Sequence, residues 1–401
     1  MSHSVVLSRA GIGLKAPLVK VEAHLSTGLP AFSVVGLPES SVRESRERVR
    51  SALICSHFKW PDRRITVSLA PAELPKGGGR FDLPIALAIL VASGQLSAST
   101  VVNREFFGEL GLDGSLRHCR GLLSAVQAAT LDQRAVILPA EQAKKMAVVP
   151  GSRVAAAGDL LSVCGLIKSK SLAVVAVKAS TGSGRQNTDT PKISGQEVAK
   201  RCLEIAAAGG HHLLMIGPPG AGKTLLAASL PPLMEEPKPS DELELSLIRD
   251  LLGLEPNRGR PFRAPHHNTT AAGLIGGGVN ATPGEVSLAH GGVLFLDELA
   301  EFNRSVLDLL RQPLESGHIS LSRAKGTYCY PARFQLVAAM NPCPCGFAGI
   351  QSERCRCKPD VVGRYQSRIS GPLLDRIDLH VSLDRQPAAM LLHGARAGSD
   401  T

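Results

Sequence analysis

A glycine-rich segment between an apolar run and a helix-forming run carries the strongest chemical signal of the sequence. The apolar residues 213–216 precede the pattern G-x-x-x-x-G-K-T. The loop and the start of the following helix consist of Gly217, Pro218, Pro219, Gly220, Ala221, Gly222, Lys223, Thr224 and Leu225. Backbone N–H groups of such a loop converge on phosphates, and glycines permit the close approach. We expect ATP to bind here, with Lys223 at the β- and γ-phosphates and the Thr224 hydroxyl on Mg²⁺.

Two further apolar runs end in side chains that can act on a bound nucleotide. Residues 291–296 lead into Asp297 and Glu298, and residues 334–340 lead into Asn341. We expect Asp297 to hold Mg²⁺, Glu298 to orient and deprotonate the attacking water, and Asn341 to sense the γ-phosphate. The alternatives are a glycine turn without ligand, a solvated strand end and a plain Asn-Pro turn.

An arginine that follows a turn, Arg376, lies in the segment L-L-D-R-I-D of residues 373–378. It can pair with the acids beside it, or it can reach the γ-phosphate held by the next subunit. An arginine acting in trans contributes orders of magnitude in rate. Arg368 is a second candidate for this role.

In this order, the phosphate loop, the paired acids, the Asn and the arginine segment resemble an AAA+ ATPase. Further strings resemble the magnesium-chelatase-like group of the ComM type, and they cover residues 204–212, 263–269, 294–299 and 340–346. The resemblance extends over nearly the whole chain. It implies a hexameric ring that uses ATP to move branched or single-stranded DNA, as a branch-migration helicase in recombination and natural transformation.

Two other functions stay open. One is the motor subunit of a magnesium chelatase, which remodels a protein partner. The other is a nucleotide- or DNA-binding protein without turnover. DNA-stimulated ATP hydrolysis separates the first function from these two.

A polar stretch without periodicity divides the chain. Residues 178–192 are predicted to link a domain of residues 1–177 to an ATPase core of residues 193–384. The first domain alternates predicted strands and helices, which indicates a mixed α/β fold. The strands are expected at 18–25, 32–35, 64–69, 135–138 and 153–156, and the helices at 40–51, 84–93 and 122–129.

The resemblance implies that this first domain is Lon-protease-like, with the fold of ribosomal S5 domain 2, and that the core contains a parallel sheet. The position of the Lon serine falls at Phe81 or Asp82, and that of the lysine at Leu123. Without nucleophile and base there is no covalent acyl transfer, so the domain is predicted to be non-proteolytic.

Two insertions are expected inside the core. The glycine-rich residues 274–285 predict a loop or hairpin, and residues 319–333 predict a β-hairpin with its turn near Lys325. The resemblance places a pore hairpin here, where Arg323, Lys325 and Tyr328 would grip DNA. The alternative is a surface hairpin. Between residues 301 and 376 there are eleven Lys or Arg against six Asp or Glu, which suits a phosphate backbone or an ordinary solvated face.

Four cysteines follow Asn341 closely. Cys343, Cys345, Cys355 and Cys357 form two C-x-C pairs that can supply four thiolates to a structural Zn²⁺, and free thiols are the alternative. The adjacent histidines of residues 266–267 lack further ligands nearby, so we expect a subunit contact or a packed loop instead of a metal site.

The end of the chain departs from the family pattern. AAA+ modules continue into a helical lid, whereas residues 385–401 form a divergent tail. A truncation or a change of reading frame near residue 385 would explain this, and whether it is biological stays open. We expect weakened ATP binding, with hydrolysis and ring assembly at risk.

Bulk composition narrows the class of protein. The chain of 401 residues is 44% hydrophobic and 20% charged, with a net charge of +10. It shows no signal peptide and no apolar run long enough to span a bilayer, which predicts a cytoplasmic protein without membrane contact. Nine cysteines in such a chain argue against a disulfide framework.

Overall fold

The computed structural model describes residues 2–36, 40–169, 195–255, 259–323, 326–349 and 355–385. The chain divides into two compact units. The first comprises Met1–Gly182 and Arg249–Pro256, and the second comprises Ser183–Ile248 and Asn257–Thr401. The predicted linker, residues 178–192, and the tail beyond Arg385 lie outside the described residues.

Within the described residues, the first unit contains nine strands and five α-helices. The strands are β1 (His3–Arg9), β2 (Leu18–Ser26), β3 (Ala31–Val35), β4 (Arg64–Ala70), β5 (Arg104–Phe106), β6 (Glu109–Leu110), β7 (Leu116–Arg117), β8 (Ala135–Pro139) and β9 (Val154–Ala157). The helices are α1 (Ser40–Cys55), α2 (Asp82–Ala92), α3 (Leu122–Leu131), α4 (Ala140–Ala143) and α5 (Leu160–Lys168).

Seven of these strands form one mixed sheet in the order β3-β4-β2-β1-β5-β8-β9. The pairs β4-β2 and β2-β1 are antiparallel, and the other neighbouring pairs in the sheet are parallel. All five predicted strands and all three predicted helices are present, with ends shifted by a few residues. Strand β1 and the short strands β5, β6 and β7 were not predicted.

Helix α2 forms the centre of the first unit's core. All eleven of its residues are buried, and it packs against β1 and β2. Its first residue, Asp82, is fully buried and is paired with Arg48 (Oδ2 to Nε, 2.7 Å). Phe81 and Leu123 are buried apolar side chains. The positions aligned with a Lon serine and lysine therefore hold no nucleophile and no base.

The second unit contains ten helices and nine strands in its described part. The helices are α6 (Glu197–Gly209), α7 (Lys223–Ala228), α8 (Leu230–Leu233), α9 (Pro239–Leu251), α10 (Ala271–Ile275), α11 (Glu285–Leu288), α12 (Arg304–Asp308), α13 (Arg311–Ser316), α14 (Pro359–Gln366) and α15 (Gly371–Leu374). The strands are β10 (Leu213–Ile216), β11 (Phe262–Arg263), β12 (Gly276–Gly277), β13 (Thr282–Pro283), β14 (Val293–Leu296), β15 (His318–Arg323), β16 (Gly326–Pro331), β17 (Gln335–Met340) and β18 (Leu379–Ser382). The last three residues of α9 are grouped with the first unit.

A five-stranded parallel sheet organises the second unit. Its order is β11-β14-β17-β10-β18, and every neighbouring pair is parallel. Strands β14 and β17 are buried along their whole length, because helices of a parallel α/β sheet cover both faces. In such a sheet, side chains that follow the strands gather at one edge, the carboxyl edge.

Two hairpins interrupt this α/β order. Strands β12 and β13 pair antiparallel between the short helices α10 and α11, so the glycine-rich segment is a hairpin as predicted. Strands β15 and β16 form the second predicted hairpin, and Lys325, at its turn, lies outside the described residues. In the part of the chain that the structure describes, no helix combines the length and apolar character that a membrane span needs.

Candidate active site

The carboxyl edge of the parallel sheet brings together the residues predicted to act on a nucleotide. Gly217 follows β10, Asp297 follows β14 and Asn341 follows β17. The Gly217 N–H donates to the Met340 carbonyl (3.1 Å), which ties the start of the loop to the end of β17. A Cβ on Gly217 would lie 2.8 Å from Leu383, so glycine is needed there for close packing.

The loop ends in a left-handed glycine that starts a helix. Gly222 has φ +86°, and a Cβ placed on it would meet no atom within 4 Å. Glycine is therefore needed at position 222 because of the backbone conformation, and not because neighbouring atoms leave no room for a side chain. Helix α7 begins directly after it at Lys223, and Leu225, near the start of the helix, is 45% exposed.

Lys223 is held over the loop by neutral oxygens. Its Nζ donates to the carbonyls of Gly217 (2.8 Å) and Pro218 (3.0 Å), and to Oδ1 of Asn341 (3.0 Å). Within the described residues, it makes no ion pair. Partial burial lowers the pKa of the ammonium, and the negative charges of Asp297 and Glu298 oppose that shift. An anion would offset this desolvation penalty, so the site suits a phosphate.

The hydroxyl of Thr224 and the carboxylate of Asp297 face each other. Thr224 Oγ1 donates to Asp297 Oδ2 (3.0 Å), and the other carboxylate oxygen accepts the backbone N–H of Glu298 (2.9 Å). These oxygens come from different elements and lie next to the phosphate loop. A hydroxyl and a carboxylate are hard oxygen ligands, so the pair fits Mg²⁺ bound together with nucleotide phosphates.

Glu298 is exposed and sits in a strained backbone conformation. Its φ and ψ are +52° and +45°, a left-handed region that non-glycine residues seldom occupy. Its Oε2 lies 3.1 Å from Nδ1 of His267. The ring of His267 also contacts His266 and Phe302.

The contact between His267 and Glu298 was missed by sequence reasoning. We expected the histidine pair to be a subunit contact or a packed loop, whereas His267 lies against the predicted general base. The positions are 31 residues apart in sequence. They meet because His267 follows β11, the strand adjacent to β14 in the sheet. Strand order is the signal that would have found this contact.

The two arginines proposed as fingers are engaged within their own chain. Arg376, after α15, forms an ion pair with Glu315 and donates to the Pro372 carbonyl. Arg368 pairs with Glu301 (3.0 Å) and lies over the ring of Tyr365. Neither guanidinium is bonded to Asp297 or Asn341, so a role in the γ-phosphate site would need a neighbouring subunit.

The four clustered cysteines come together in the fold. The Sγ atom of Cys343 lies 3.3 Å from that of Cys345 and 3.9 Å from that of Cys355, and Cys345 and Cys355 are 3.7 Å apart. With Cys357, all four sulfurs lie within 4.8 Å of one another. The thiols affect one another's protonation: a hydrogen bond from Cys343 lowers the pKa of the Cys345 thiol to about 6, whereas the hydrogen bond to Cys345 raises the pKa of the Cys357 thiol to about 11. The case for a metal therefore rests on the convergence of the four sulfurs.

A second group of potential metal ligands is already bonded to an arginine. Asp241, Glu244 and His290 lie close together, but the guanidinium of Arg333 bonds both carboxylates (2.9 and 3.0 Å). His290 Nδ1 accepts the Arg333 backbone N–H, and burial lowers the pKa of this histidine. The Arg333 guanidinium already bonds both carboxylates, so this group is a structural ion-pair network.

The predicted DNA-gripping residues have different surroundings. Arg323 is exposed near the hairpin tip, and its Nε donates to the Gly278 carbonyl of the glycine-rich hairpin (3.1 Å). Tyr328 is only 8% exposed. Strand side chains alternate, so Tyr328 and Tyr330 share the inner face, where Tyr330 donates to the Ala281 carbonyl (2.8 Å). The expectation that Tyr328 grips DNA is not supported, because its ring is packed inside.

Comparisons with known proteins agree with this architecture. The family described as "Magnesium chelatase, subunit ChlI" matches residues 189–391, and that described as "Subunit ChlI of Mg-chelatase" matches residues 21–142. Lon protease 2 of Bacillus subtilis is 29% identical over 146 residues, which cover 33% of this chain and 26% of that protein. The mixed α/β fold thus combines a Lon-like first unit, with partial similarity to a Lon protease, and an AAA+ core with a parallel sheet.

Two curated relatives match almost the entire chain. Competence protein ComM of Haemophilus influenzae is 49% identical over 401 residues, covering 98% of this chain and 78% of that protein. Protein YifB of Salmonella typhimurium is 45% identical over 405 residues, covering 100% of this chain and 80% of that protein. With this identity and this coverage, the chain belongs to the magnesium-chelatase-like family of the ComM type.

Proposed function

We propose that this protein is an ATPase of the AAA+ class that works as a ring-forming DNA motor of the branch-migration type. The observation that carries the ATPase part is the meeting of Lys223, Thr224, Asp297 and Asn341 at one edge of the parallel sheet. An ammonium, a hydroxyl, a carboxylate and an amide from different elements match what phosphoryl transfer to water requires.

Each residue of the edge has a distinct task. Lys223 and the loop N–H groups bind the phosphates, Thr224 and Asp297 would hold Mg²⁺, and Asn341 contacts the γ-phosphate. The bound Mg²⁺ supplies charge neutralisation of the phosphate oxygens. Glu298, exposed at the same edge, orients the water and accepts its proton.

The arginines complete the site across subunits. Arg376 would leave its intrachain pair with Glu315 and contact the γ-phosphate of the adjacent subunit of a hexamer. Such an arginine changes turnover by about a thousandfold or more. Turnover is therefore expected to rise with protein concentration as rings form, and the Arg376→Ala variant is expected to lose that rise. Turnover by dilute, monomeric chains at the same specific rate would exclude the arrangement.

DNA as the partner is supported by charge and by similarity. The segment from Glu301 to Arg376 is basic, Arg323 is exposed on its hairpin, and one relative that matches nearly the whole chain is named a competence protein. A basic surface binds the phosphate backbone with an affinity that falls steeply as salt is added. Arg323→Ala together with Lys325→Ala is expected to weaken DNA binding and reduce its salt dependence, as measured by fluorescence anisotropy.

The cysteine cluster fits a structural zinc ion. Zinc bound to four sulfurs at about 2.3 Å in a tetrahedron places the sulfurs about 3.8 Å apart. The three sulfur separations of 3.3, 3.7 and 3.9 Å bracket that value. Cys343 is fully buried, and the Ala348 N–H donates to its sulfur (3.3 Å), an outer contact typical of bound thiolates. We therefore include Zn²⁺ among the ligands.

The decisive experiment is ATP hydrolysis by the full chain with no DNA, with duplex DNA and with four-way-junction DNA. Stimulation by DNA that disappears in the Lys223→Ala variant supports the motor. Hydrolysis without any response to DNA favours the magnesium-chelatase-type motor, a candidate that the family descriptions also name. Nucleotide binding without hydrolysis would leave a nucleotide-binding protein and overturn the proposal.

A further inference from the structure

The cysteine cluster lies against the phosphate loop. Gly346, in the turn after the first C-x-C pair, packs on Pro219: a Cβ added to Gly346 would lie 2.6 Å from the Pro219 ring. This turn is closed by a hydrogen bond from the Gly346 N–H to the Cys343 carbonyl (2.9 Å). Gly346 also has φ +86°, so both its conformation and its neighbour exclude a larger side chain.

The cluster is also joined to the γ-phosphate sensor by a very short connection. Only Pro342 separates Asn341 from Cys343, and Asn341 Oδ1 accepts a hydrogen bond from Lys223 Nζ (3.0 Å). The Pro342 carbonyl accepts the Gln366 side-chain amide (3.2 Å). The first two thiols are therefore part of the same corner as the sensor and the phosphate loop.

The second pair of thiols reaches this corner from a distance in sequence. Nine residues separate Cys345 from Cys355, and the two pairs approach each other through their sulfurs. A metal bound by all four sulfurs would close this loop and hold the turn of Gly346 against Pro219. Without metal, the thiols lack a bond that resists separation of the two pairs.

We propose that metal binding at Cys343, Cys345, Cys355 and Cys357 is energetically linked to ATP binding, through the packing of Gly346 on Pro219 and the short connection to Asn341. This inference rests on the zinc site proposed above. Its consequence is that the zinc-loaded chain binds ATP more tightly than the zinc-free chain. Linkage requires that ATP tighten zinc binding by the same factor, and coupling between two sites is usually about five- to 150-fold.

The first measurement compares zinc content and ATP affinity on one preparation of the full chain. Zinc is quantified by elemental analysis, removed with a chelator that is then dialysed away, and restored with ZnCl₂. Fluorescent ATP titrations in excess Mg²⁺ are expected to show about a tenfold loss of affinity on removal and recovery on restoration. Co²⁺ in place of Zn²⁺ should give the visible absorption of a tetrahedral thiolate site.

Two variants distinguish the effect of the bound metal from the effect of the contact between Gly346 and Pro219. Cys355→Ser with Cys357→Ser removes two ligands and is expected to lose zinc and to bind ATP like the zinc-free chain. The control Cys55→Ser changes an exposed cysteine of the first unit and should retain both zinc and ATP affinity. Pro219→Ala removes the ring on which Gly346 packs and leaves all four thiols and their turn unchanged, so it should retain zinc, and its ATP affinity should no longer respond to zinc removal.

The outcomes are distinguishable from those of the motor experiment. A chain that holds no zinc and no cobalt overturns the metal site, whatever its response to DNA. A chain that holds zinc but binds ATP with equal affinity with and without it overturns the linkage. DNA-stimulated hydrolysis can succeed or fail independently of both results, because it tests Lys223 and the partner.

Discussion

Helices α2 and α7 both begin with a charged residue after a glycine-rich turn, yet the two charges have opposite surroundings. Asp82 opens α2, is fully buried, and is satisfied by Arg48 and by the Leu110 N–H (3.3 Å). Lys223 opens α7, is only partly buried, and bonds carbonyl and amide oxygens without an ion pair among the described residues.

The difference shows how one local design serves two purposes. A helix N-terminus favours a negative charge. In α2 the chain supplies that negative charge itself through Asp82, so the start of this helix has no need of an external anion. In α7 the first residue is a cation and the glycine turn stays open, so the favourable anion must come from a ligand. A charge that is paired inside the fold is closed to ligands, whereas a charge without an ionic partner is available for binding.

Removal of Arg48 should produce the largest effect on stability. Arg48→Gln leaves the buried Asp82 carboxylate without its cation, and breaking a buried pair in this way costs about 3 kcal/mol. Thermal unfolding of the variant measures the loss. Arg46→Gln, in an exposed ion pair on the same helix, is the control and should change little.

The loss of stability in the Arg48→Gln variant should depend on pH. Burial raises the pKa of Asp82 to about 6 from 3.8, and Arg48 opposes that rise. A folded-state pKa above the unfolded one means that stability falls as pH rises through this interval. Without Arg48 the pKa rises further, so the variant should be more destabilised at about pH 8 than at about pH 5. An equal loss at both values would show that the Asp82 charge is not involved.

Lys223→Ala should affect ligand binding and leave the fold intact. Its ammonium has no partner of opposite charge in the described part of the chain, so thermal unfolding without nucleotide should change little. Affinity for ATP should fall by about ten- to a hundredfold, because a hydrogen bond to a charged group contributes about 1.5–3 kcal/mol. Lys200→Ala, in an exposed pair with Glu197, is the matched control. Unfolding of the Lys223 variant at lower temperature would contradict the comparison.

Glu298→Gln separates chemistry from binding. The amide keeps the size of the side chain but cannot accept a proton from water, so turnover should fall about a hundredfold while ATP affinity is retained. A loss of ATP affinity of the same size would mean that Glu298 acts in binding and not as the base. His267→Ala beside it should change turnover with little change in ATP affinity, since the contact of His267 with this group is made to Glu298.

The smallest effect is expected when either of two glycines with a left-handed backbone conformation is replaced. Gly78 lies in the turn before α2 and Gly222 precedes α7, with φ +77° and +86°, and a Cβ at either position would meet open space. An alanine should cost about 1 kcal/mol at either position. We expect the cost at Gly78 to appear as lower unfolding temperature and that at Gly222 as weaker ATP binding. The reverse pattern would contradict the assignment of the two turns.

Sequence patterns predicted the elements well where local physics decides them. Helix α2 was expected at residues 84–93 and begins two residues earlier, at Asp82, so that Pro84 lies in its first turn, where a missing N–H costs no helical hydrogen bond. Strand β1 was missed because its place in the sheet depends on β2 and on the distant β5. The order of strands in the core, which brings His267 to Glu298, has no local signature.

The sequence by itself determined the phosphate loop, the acids and amide that end two buried strands, the four thiols and the mixed α/β class. These follow from residue type and spacing, because hydrophobic periodicity and glycine conformations act over short distances. Only the tertiary structure decided that Tyr328 faces inward, that Arg376 pairs with Glu315, and that Gly346 rests on Pro219. Such contacts join segments far apart in the chain, and their geometry depends on how whole strands and helices pack.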